Sequence, residues 1–325
     1  MWQPSASAIN LKARSALLRA IREYFYPRAV IEVDPPVIGR HTVTDPYLEP
    51  LTVNMGANNP VGYLQTSPEY FMKRMLASTG EPMYYLGKAF RRDESGRKHS
   101  PEFTMLEWYR PGFDDIELRK EVLDLVGYVK SQLAEQGTVV ATNDWAVSEI
   151  SYEDVFNDAL GVNPHTAPVA DLKQIAQAKL NVGWDDDHRN TWLDLLFSHL
   201  IEPNLQGCVC VFDFPACQSA LAKVKVRSDG VAVARRFEVY INGVELANGY
   251  WELTDAAEQR KRFNADHVRR AELGLNLPQI DEAFMAAIDA GLPECAGVAL
   301  GVDRLLMALL GADKLSDVLP FTAPS

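Results

Sequence analysis

The segment from Tyr84 to Pro111, YYLGKAFRRDESGRKHSPEFTMLEWYRP, constrains the fold more than any other part of the chain. Aromatic and apolar residues flank a polar loop, residues 91–100, so the pattern predicts two antiparallel strands joined by a charged loop. Successive side chains of a strand point to opposite faces. One face of the second strand then carries four residues: Phe103, Met105, Glu107 and Tyr109.

The predicted face and loop indicate two kinds of ligand. A carboxylate between aromatic groups is costly in a core, because a buried charge needs a partner, but it suits a pocket for an ammonium group. The loop adds a cluster of basic groups that favours anions. An exposed hairpin tip without a ligand remains an equal alternative for this segment alone. The basic cluster consists of Arg91, Arg92, Arg97, Lys98 and His99.

Composition narrows the class of protein. The 325 residues are 47% hydrophobic, which is enough for one large domain or two. The chain has 44 acidic and 32 basic residues and a net charge of -12. This balance disfavours a general nucleic-acid binder, because phosphate contacts need a basic surface. The sequence contains neither a signal peptide nor a run of about 18 apolar residues, so we predict a soluble, cytoplasmic protein without a membrane partner.

The four cysteines match no disulfide framework. Cys208, Cys210 and Cys217 lie close together in sequence, but C-x-C with one distant partner is not a zinc-binding spacing. We therefore predict buried free thiols.

The first third of the chain predicts a helix, a short strand and a second helix. Apolar spacing indicates an amphipathic helix from Leu11 to Phe25, followed by the strand VIEVDPP at residues 30–36. Ser67 and Pro68 predict the N-cap and first position of the next helix, with Glu69 in its first turn. Ser67 and Glu69 either stabilise that helix or bind a substrate, and position alone favours the helix.

The middle of the chain predicts helices and loops but no catalytic or binding residues. Residues 114–180 have helical and loop-like patterns, including a helix N-terminus at Ser151 and an amphipathic helix in DLKQIAQAKL, residues 171–180. No repeat or low-complexity linker divides the sequence. We expect a single domain, residues 1–325, with a helical insertion at about 114–200.

The segment from Arg235 to Thr254 predicts a second hairpin, because Asn242-Gly243 is typical of a two-residue turn. A regular ladder would pair residue 240 with 245, 239 with 246 and 238 with 247. Glu238 and Glu245 would then share a face, with Tyr240 and Ala247. Two neighbouring carboxylates are favourable where a divalent cation separates them, and a solvent-facing strand pair is the alternative.

The last element, CAGVALGVDRLLMALLGA at residues 295–312, predicts a strand that enters an apolar helix at Gly301. Glycine at this turn permits close approach of a ligand, and Arg304 in the first helical turn can face an anion. Tight packing of the helix on the strand is the alternative reading. The segment has neither a Walker nor a dinucleotide spacing.

Taken together, these segments resemble the class II aminoacyl-tRNA synthetases. FRRDE with PEFTMLEWY is similar to motif 2 of that class, GVALGVDRL to motif 3 and YFYPRAVIEVDPP to motif 1. SPEYFMKRM, HSPEFTMLEWYRP and ELANGYWELTD resemble the lysyl branch, and most closely a shortened paralogue of it that modifies elongation factor P. The resemblance spans residues 10–321. It implies an α+β fold, an antiparallel sheet flanked by helices, and a homodimer.

The resemblance also implies roles for particular residues. Arg91 and Arg304 would be catalytic, Phe103 would stack on the adenine of ATP, and Glu238 and Glu245 would hold Mg²⁺. The family pattern places further ATP contacts at Arg92, Asp93, His99, Ser100, Glu245, Leu246 and Gly301. It places the amino-acid substrate, with its two ammonium groups, at Ser67, Pro68, Glu69, Glu107, Tyr109, Asn248, Glu252 and Ala299.

The acyl acceptor implied by the resemblance is a protein. Lysyl synthetases carry an amino-terminal OB domain that reads the anticodon, and we expect none here, because about ten residues precede the first helix. With the acidic charge, this makes tRNA an improbable acceptor and favours a lysine side chain of elongation factor P. The donor would be (R)-β-lysine or lysine. Ala299, where full synthetases usually have glycine, fits a pocket reshaped for a β-amino acid.

Several positions depart from the family pattern. Asp93 replaces a glutamate, Ser100 an asparagine and Trp251 a smaller or imidazole side chain, so the ATP contacts of the loop are the part of the pattern that matches least. Ala29 replaces a motif 1 glycine. Two alternatives stay open: a relative that acylates tRNA or forms another amide, and a regulator that binds an amino acid without catalysis.

Overall fold

The computed structural model describes residues 2–56, 61–92, 94–138 and 145–322. The chain separates into two compact units. Unit 1 comprises Met1–Phe113, Lys120–Thr142 and Leu253–Ser325, and unit 2 comprises Asp114–Arg119 and Asn143–Glu252. This division does not test the expectation of a single domain with a helical insertion, which stays a prediction.

The helices and strands are numbered in chain order. The α-helices are α1 Ala8–Phe25, α2 Glu69–Thr79, α3 Asp115–Glu135, α4 Tyr152–Leu160, α5 Val169–Leu180, α6 Arg189–Leu196, α7 Ala256–Glu272, α8 Glu282–Asp289 and α9 Val302–Leu310. The strands are β1 Ile31–Glu32, β2 Ile38–Gly39, β3 Thr52–Val53, β4 Gly62–Leu64, β5 Met83–Phe90, β6 Glu102–Pro111, β7 Val147–Ser151, β8 Cys208–Pro215, β9 Val224–Val226, β10 Ala232–Ile241, β11 Glu245–Trp251 and β12 Cys295–Gly301. Short 3₁₀ helices lie at Tyr26–Arg28, Glu202–Asn204, Ala216–Gln218 and Leu315–Asp317, and a π-helix at Phe197–Ile201.

Unit 1 is built on a sheet with the strand order β1-β5-β6-β12. Strands β5, β6 and β12 are antiparallel, and the short β1 is parallel to β5 at the edge. A second, three-stranded sheet has the order β2-β4-β3. Apolar residues of α2, β5, β6 and β12, and of the connection between α8 and β12, form one buried cluster of unit 1: Met72, Leu76, Met83, Tyr85, Tyr109, Leu292 and Cys295.

Helix α1 begins three residues before the predicted Leu11. Ser7 is the N-cap, because its hydroxyl accepts a hydrogen bond from the backbone N–H of Asn10 at 3.1 Å. The predicted apolar face is buried, and the helix ends at Phe25 as expected. Ala29 then adopts a left-handed conformation, with φ of 54°, where glycine is favoured.

The predicted start of α2 was wrong by one residue. Pro68 occupies the N-cap position and Ser67 lies before it, and none of the side chains that the structure describes caps the helix. The prediction assumed that proline takes the first helical position, because its ring fixes φ near the helical value. The N-cap position of this helix has a φ of -78°, which proline also adopts, so Pro68 is the N-cap.

The predicted hairpin in the segment 84–111 is confirmed. Strands β5 and β6 pair without interruption from Met83 opposite Tyr109 to Phe90 opposite Glu102. The strand and helix predicted at the end of the chain are β12 and α9, with Gly301 as the N-cap. Buried Asp303 accepts hydrogen bonds from the backbone N–H of Thr104 at 2.8 Å and from Arg14 Nη1 at 2.6 Å. These bonds fix α9 and α1 against β6.

Unit 2 is built on a sheet with the order β11-β10-β8-β7, and β9 pairs with the other end of β10. Strand β7 is parallel to β8 and lies inside the region predicted to be helical. Its exposed, polar sequence VSEIS gave no clear strand signal. The predicted N-cap at Ser151 is confirmed, with the N–H of Asp154 at 3.0 Å. The buried core of unit 2 includes six aromatic residues: Tyr152, Phe156, Trp192, Phe197, Phe214 and Tyr240.

The free state predicted for the cysteines is confirmed, and their predicted burial is wrong at one position. Cys208, Cys210 and Cys295 are buried, whereas Cys217 is exposed. Burial raises the pKa of the Cys208 thiol to about 11 and that of Cys210 to about 12, so both stay protonated at neutral pH.

The predicted α+β class, with an antiparallel sheet flanked by helices, is confirmed. Within each unit, and among the residues that the structure describes, the parallel pairs are β1 with β5 and β7 with β8. Across the residues that the structure describes, every helix is too short or too polar to cross a lipid bilayer.

Candidate active site

Glu107 is the central residue among the predicted site residues of unit 1. Its side chain is 3% exposed, and its Oε1 accepts a hydrogen bond from the hydroxyl of Tyr109 at 2.8 Å. Strand β6 lies between β5 and β12, so Glu107 has Tyr85 opposite it on one side and Ala299 on the other. A carboxylate held by a phenol in an aromatic setting suits a cationic ligand.

Tyr85 is itself held in place. Its hydroxyl accepts a hydrogen bond from Gln65 Nε2 at 2.9 Å and donates one to the backbone carbonyl of Lys88 at 3.0 Å. The ring lies over Gly87, where an added Cβ would meet the Tyr85 hydroxyl at 2.3 Å. Gly87 is therefore required for this position of the tyrosine ring.

The start of α2 carries a second carboxylate. Glu69 Oε1 lies 2.7 Å from Nζ of Lys73, one helical turn later, and Lys73 is 1% exposed. An amine is thus already bound to Glu69, which shows that this carboxylate can hold an ammonium group. Half-buried Ser67 and buried Pro68 precede it. Helix stabilisation and substrate binding both remain compatible with this arrangement.

Arg91 lies at the junction of β5 and the charged loop. Its guanidinium carbon is 5.2 Å from the centre of the Phe103 ring, and Nη1 is 3.4 Å from Oε1 of Glu94. Its Nε is buried and makes no hydrogen bond to the residues that the structure describes. The guanidinium and the half-buried ring of Phe103 form a surface on which a planar base can stack.

The tip of the charged loop meets the first turn of α9. Arg304 Nη2 lies 2.8 Å from Nε2 of His99, and Arg304 Nε donates to the carbonyl of Lys98 at 3.3 Å. Since arginine has no acceptor, Nε2 of His99 must accept this bond. His99, a predicted ATP contact, and Arg304, a predicted catalytic residue, are therefore adjacent, with His99 exposed and Arg304 half-buried.

The other predicted loop residues are placed differently. Arg92 is exposed and forms an ion pair with Glu49 at 3.3 Å. Ser100 is buried, and Gly301 lies opposite Met105 in the ladder of β12 with β6. Asp93 lies outside the described residues. The predicted ATP contacts of these four positions stay predictions.

The arrangement of the predicted site residues of unit 2 depends on a β-bulge. The turn at Asn242-Gly243 is confirmed, and Tyr240 pairs with Glu245 as predicted. The next predicted pairs were wrong: Val239 pairs with Ala247 and Glu238 with Asn248, because the register shifts by one residue. Leu246 is the additional residue, and Ala247 joins the face of Val239 instead of that of Glu238.

The bulge places the predicted site residues of β11 on one face of the strand. A strand with regular alternation would place Glu245 and Asn248 on opposite faces, because three residues separate them. With one extra residue between them, both lie on the face of Glu238 and Tyr240. Glu252 follows Asn248 by four residues, so alternation places it on the same face. The Oδ1 atom of Asn248 is buried and makes no hydrogen bond to the described part of the chain, so it is available to a ligand donor.

Glu238 is 7% exposed and is held by two neighbours. Arg236 Nη2 donates to its Oε1 at 2.5 Å, and the hydroxyl of Tyr240 donates to its Oε2. Burial raises the pKa of Glu238 and the charge of Glu245 raises it further, whereas Arg236 lowers it. A cation bound at these carboxylates would relieve the repulsion between them.

Sequence reasoning placed Tyr240 on the face of Glu238 but gave it no role, and it did not select Arg236. Arg236 lies two residues before Glu238 on the same strand, so the two-residue period could have placed it on that face as well. Arg236 also lies 4.6 Å from the Phe214 ring centre and donates from Nη1 to the carbonyl of Gln218 at 2.9 Å. The contacts of Arg236 with Phe214 and Gln218 depend on the tertiary structure, so the sequence pattern does not predict them.

The described residues fit Mg²⁺ through donor chemistry. Among them, no three histidine, cysteine, aspartate or glutamate residues form a cluster. Mg²⁺ in nucleotide enzymes is typically held by one or two carboxylates together with substrate phosphates. Glu238 and Glu245 meet that requirement.

The fold, and the arrangement of the predicted residues within each unit, agree with one family of enzymes. The family described as tRNA synthetases class II (D, K and N) matches residues 2–324, and the chain belongs to this family.

Known proteins of this family are similar to the chain over nearly its full length. The elongation factor P–(R)-β-lysine ligase of Proteus mirabilis is 46% identical over 329 residues, which cover 98% of this chain and 97% of that protein. The proteins of the same name from Edwardsiella ictaluri and Photorhabdus laumondii are 45% and 44% identical, and each match covers 99% of this chain and 97% of the relative.

Proposed function

We propose that the protein is an ATP-dependent, AMP-forming ligase that activates (R)-β-lysine, or lysine, and transfers it to a lysine side chain of elongation factor P. The relatives that carry this name match the chain across 97% of their own length. Their names supply the donor and the acceptor, and the chemistry of the described residues supports the assignment.

The observation that carries the proposal is the composition of one face of β6. Phe103, beneath the guanidinium of Arg91, lies on the same face as Glu107 and Tyr109. Glu107 is four positions after Phe103 along the strand, which corresponds to roughly 13 Å. A stacking surface and a buried carboxylate at that spacing suit a base at one end and an ammonium group at the other.

Activation is the first step of the proposed reaction. The carboxylate of the amino acid attacks the α-phosphorus of ATP, a new P–O bond forms, and the bond to pyrophosphate breaks. Arg91 would stabilise the negative charge that develops on the α-phosphate, and Arg304 with His99 would bind the leaving pyrophosphate. The product is an aminoacyl adenylate.

Substrate selection would rest on carboxylates. Glu107, Glu69 and Glu252 would pair with the two ammonium groups of the donor, and Asn248 Oδ1 would accept a hydrogen bond from one of them. Glu107 and Glu252 are buried, and exclusion of water strengthens such pairing.

Glu238 and Glu245 would hold Mg²⁺, which supplies positive charge to the phosphates when bound. Arg236 and Tyr240 keep the carboxylate of Glu238 in one orientation, so this ligand would be positioned before the nucleotide arrives.

Transfer is the second step. The neutral ε-amine of the acceptor lysine attacks the acyl carbonyl, a C–N bond forms, the C–O bond to AMP breaks, and the amine loses a proton. The products are an amide and AMP.

The proposal includes a cytoplasmic homodimer. The segment that resembles motif 1 exposes large apolar side chains, including Tyr26 at 88% and Ile31 at 49%. Strand β1 is an edge strand of the unit 1 sheet, and an exposed apolar edge is suited to burial by a second copy. Light scattering during gel filtration would measure the mass in solution.

The experiment that tests the function separates its two steps. Pyrophosphate exchange is measured with a panel of diamino acids, and acyl transfer is then measured on purified elongation factor P and on tRNA. We expect exchange with (R)-β-lysine or lysine and a mass increase on the protein acceptor. Charging of tRNA alone would favour a tRNA-acylating relative, and absence of exchange would favour a regulator.

A further inference from the structure

One edge of strand β5 is covered by two different segments of the chain. Strand β1 pairs with the first residues of β5, Met83 and Tyr84, and the N–H of Val33 donates to the carbonyl of Tyr84 at 2.8 Å. Further along β5, a single residue, Gln65, binds the backbone. Gln65 lies in the connection between β4 and α2 and is 8% exposed.

Gln65 satisfies two backbone groups near the end of β5. Its carbonyl accepts a hydrogen bond from the N–H of Phe90 at 2.9 Å, and its side-chain Nε2 donates to the carbonyl of Lys88 at 2.9 Å. Tyr84, Lys88 and Phe90 are separated by even numbers of residues, so their backbone groups face the same edge. Because a buried backbone group needs a partner, Gln65 takes over where β1 ends.

The same amide group holds the side chain of Tyr85. Gln65 Nε2 donates to the hydroxyl of Tyr85 at 2.9 Å, and that hydroxyl donates to the carbonyl of Lys88 at 3.0 Å. A carbonyl can only accept, so the nitrogen of the amide, and not its oxygen, must face Lys88. Tyr85 lies opposite Glu107 in the ladder of β5 with β6, so the network reaches the face that carries the predicted substrate carboxylate.

Gln65 also lies between two groups of predicted substrate residues in unit 1. After Gln65 the chain continues into Ser67 and Glu69, which are predicted to bind the amino acid. On β5, the bonds of Gln65 extend to Phe90, the residue before the predicted catalytic Arg91. One buried side chain therefore joins the segment predicted to bind the amino acid to the strand that leads into the predicted nucleotide loop.

We propose that Gln65 is a positioning residue for the activation step. Its amide fixes the end of β5 against the start of α2, and thereby sets the distance between an amino acid held by Glu69 and the guanidinium of Arg91. This inference rests on the proposed function, because it concerns the step in which the amino-acid carboxylate attacks ATP. A displacement of about 1 Å between reacting groups can lower a rate by about 100-fold while both binding sites persist.

The first test is Gln65→Met, which keeps the length of the side chain and both backbone bonds but removes the amide. We expect kcat for pyrophosphate exchange to fall about 10- to 100-fold. The dissociation constants of ATP alone and of the amino acid alone, measured by calorimetry, should change by less than about twofold. A kcat equal to that of the wild type would overturn the proposal. A loss of both affinities that accounts for the whole loss of exchange would also overturn it, because the role would then be structural only.

Gln259→Met is the matched control. Gln259 is also a buried glutamine of unit 1, with 0% exposure, but its amide makes no hydrogen bond to the described part of the chain. We expect its kcat to equal that of the wild type. An equal fall of kcat in both glutamine variants would show that the loss of any buried amide slows exchange, and the proposal would be wrong.

The second test is Tyr85→Phe, which removes the hydroxyl that Gln65 binds and keeps the ring. We expect kcat to fall about threefold in the wild-type background and by less in the Gln65→Met background, because the two side chains act through one network. Equal effects in the two backgrounds would contradict the proposal. If circular dichroism shows that Gln65→Met does not fold, Tyr85→Phe alone decides, and a wild-type kcat in that variant would overturn the proposal.

The two proposals fail in different ways. If the wild-type enzyme exchanges pyrophosphate with none of the diamino acids, the proposed function is wrong. If the wild-type enzyme does exchange pyrophosphate, and both Gln65→Met and Tyr85→Phe keep its kcat, only the positioning role of Gln65 is wrong.

Discussion

The hydroxyl of Tyr109 donates a hydrogen bond of 2.8 Å to Glu107 on the same face of β6. Both side chains are buried, so this bond holds a negative charge in a fixed orientation inside unit 1. A buried carboxylate that is held in one orientation is suited to bind an ammonium ligand.

Replacement of Glu107 tests its role as a substrate ligand. We expect Glu107→Gln to raise KM for the amino acid in pyrophosphate exchange by about 100-fold, because a buried charge pair with the substrate is lost. Glu121→Gln is the matched control, since Glu121 is also buried but binds Nε1 of Trp108 on the opposite face. Equal KM values in Glu107→Gln and wild type would exclude the assignment.

Tyr240→Phe tests the orientation of Glu238. The variant loses only the hydroxyl that binds Oε2 of Glu238. We expect the Mg²⁺ concentration for half-maximal exchange to rise about three- to tenfold, with a parallel loss of Mg²⁺-dependent ATP binding in calorimetry. Tyr84→Phe, which removes a hydroxyl from Glu32 at 2.8 Å, is the control. An unchanged Mg²⁺ requirement would show that Arg236 suffices.

Ala29→Gly should stabilise the protein. The left-handed conformation of Ala29 costs an alanine about 1–2 kcal/mol, and glycine loses part of that gain through the entropy of the unfolded chain. We expect the free energy of unfolding to rise by about 0.5–1 kcal/mol in urea denaturation. Ala265→Gly, at an exposed position in the middle of α7, should instead lower it by about 1 kcal/mol. A loss of stability in Ala29→Gly would contradict this assignment of strain.

Asp266 predicts a pH dependence of stability. Burial raises the pKa of its carboxyl to about 6, although the hydroxyl of Thr44 donates to it at 2.6 Å. Between about pH 4 and pH 6 the folded state binds the proton more tightly than the unfolded state, so stability falls as pH rises through that window.

The corresponding variant is Asp266→Asn. We expect it to be more stable than the wild type by about 1–2 kcal/mol at pH 8, since part of the carboxyl remains in water, and to show no gain at pH 4. Asp313→Asn, at an exposed site, should not change the pH profile. A gain for Asp266→Asn that is equal at both pH values would exclude titration as the cause.

Ala299 tests donor selection. It lies directly opposite Glu107 in the ladder of β12 with β6. Its methyl group therefore borders the Glu107 carboxylate, which is proposed to bind the amino-acid substrate. We expect Ala299→Gly to shift the ratio of kcat/KM values by about tenfold from (R)-β-lysine toward lysine. Ala296→Gly, opposite Arg110 on the other face, is the control. A constant ratio would remove Ala299 from the specificity determinants.

Local patterns predicted the two hairpins, the strand-to-helix turn at Gly301 and the buried face of α1, because each depends on neighbours in sequence. The bulge at Leu246 was not predictable, since alternation alone gives no signal for an extra residue. The regular ladder therefore placed Ala247, and not Asn248, beside Glu238. Tertiary partners such as Arg14 for Asp303 come from 289 residues away and leave no local signal.

The most direct test of the account is the mass of elongation factor P after incubation with the enzyme, ATP and (R)-β-lysine. The account predicts an increase by one lysyl unit on a single lysine side chain, which requires ATP and is lost with Glu107→Gln. An acceptor of unchanged mass, under conditions in which the enzyme exchanges pyrophosphate with the same amino acid, would contradict it.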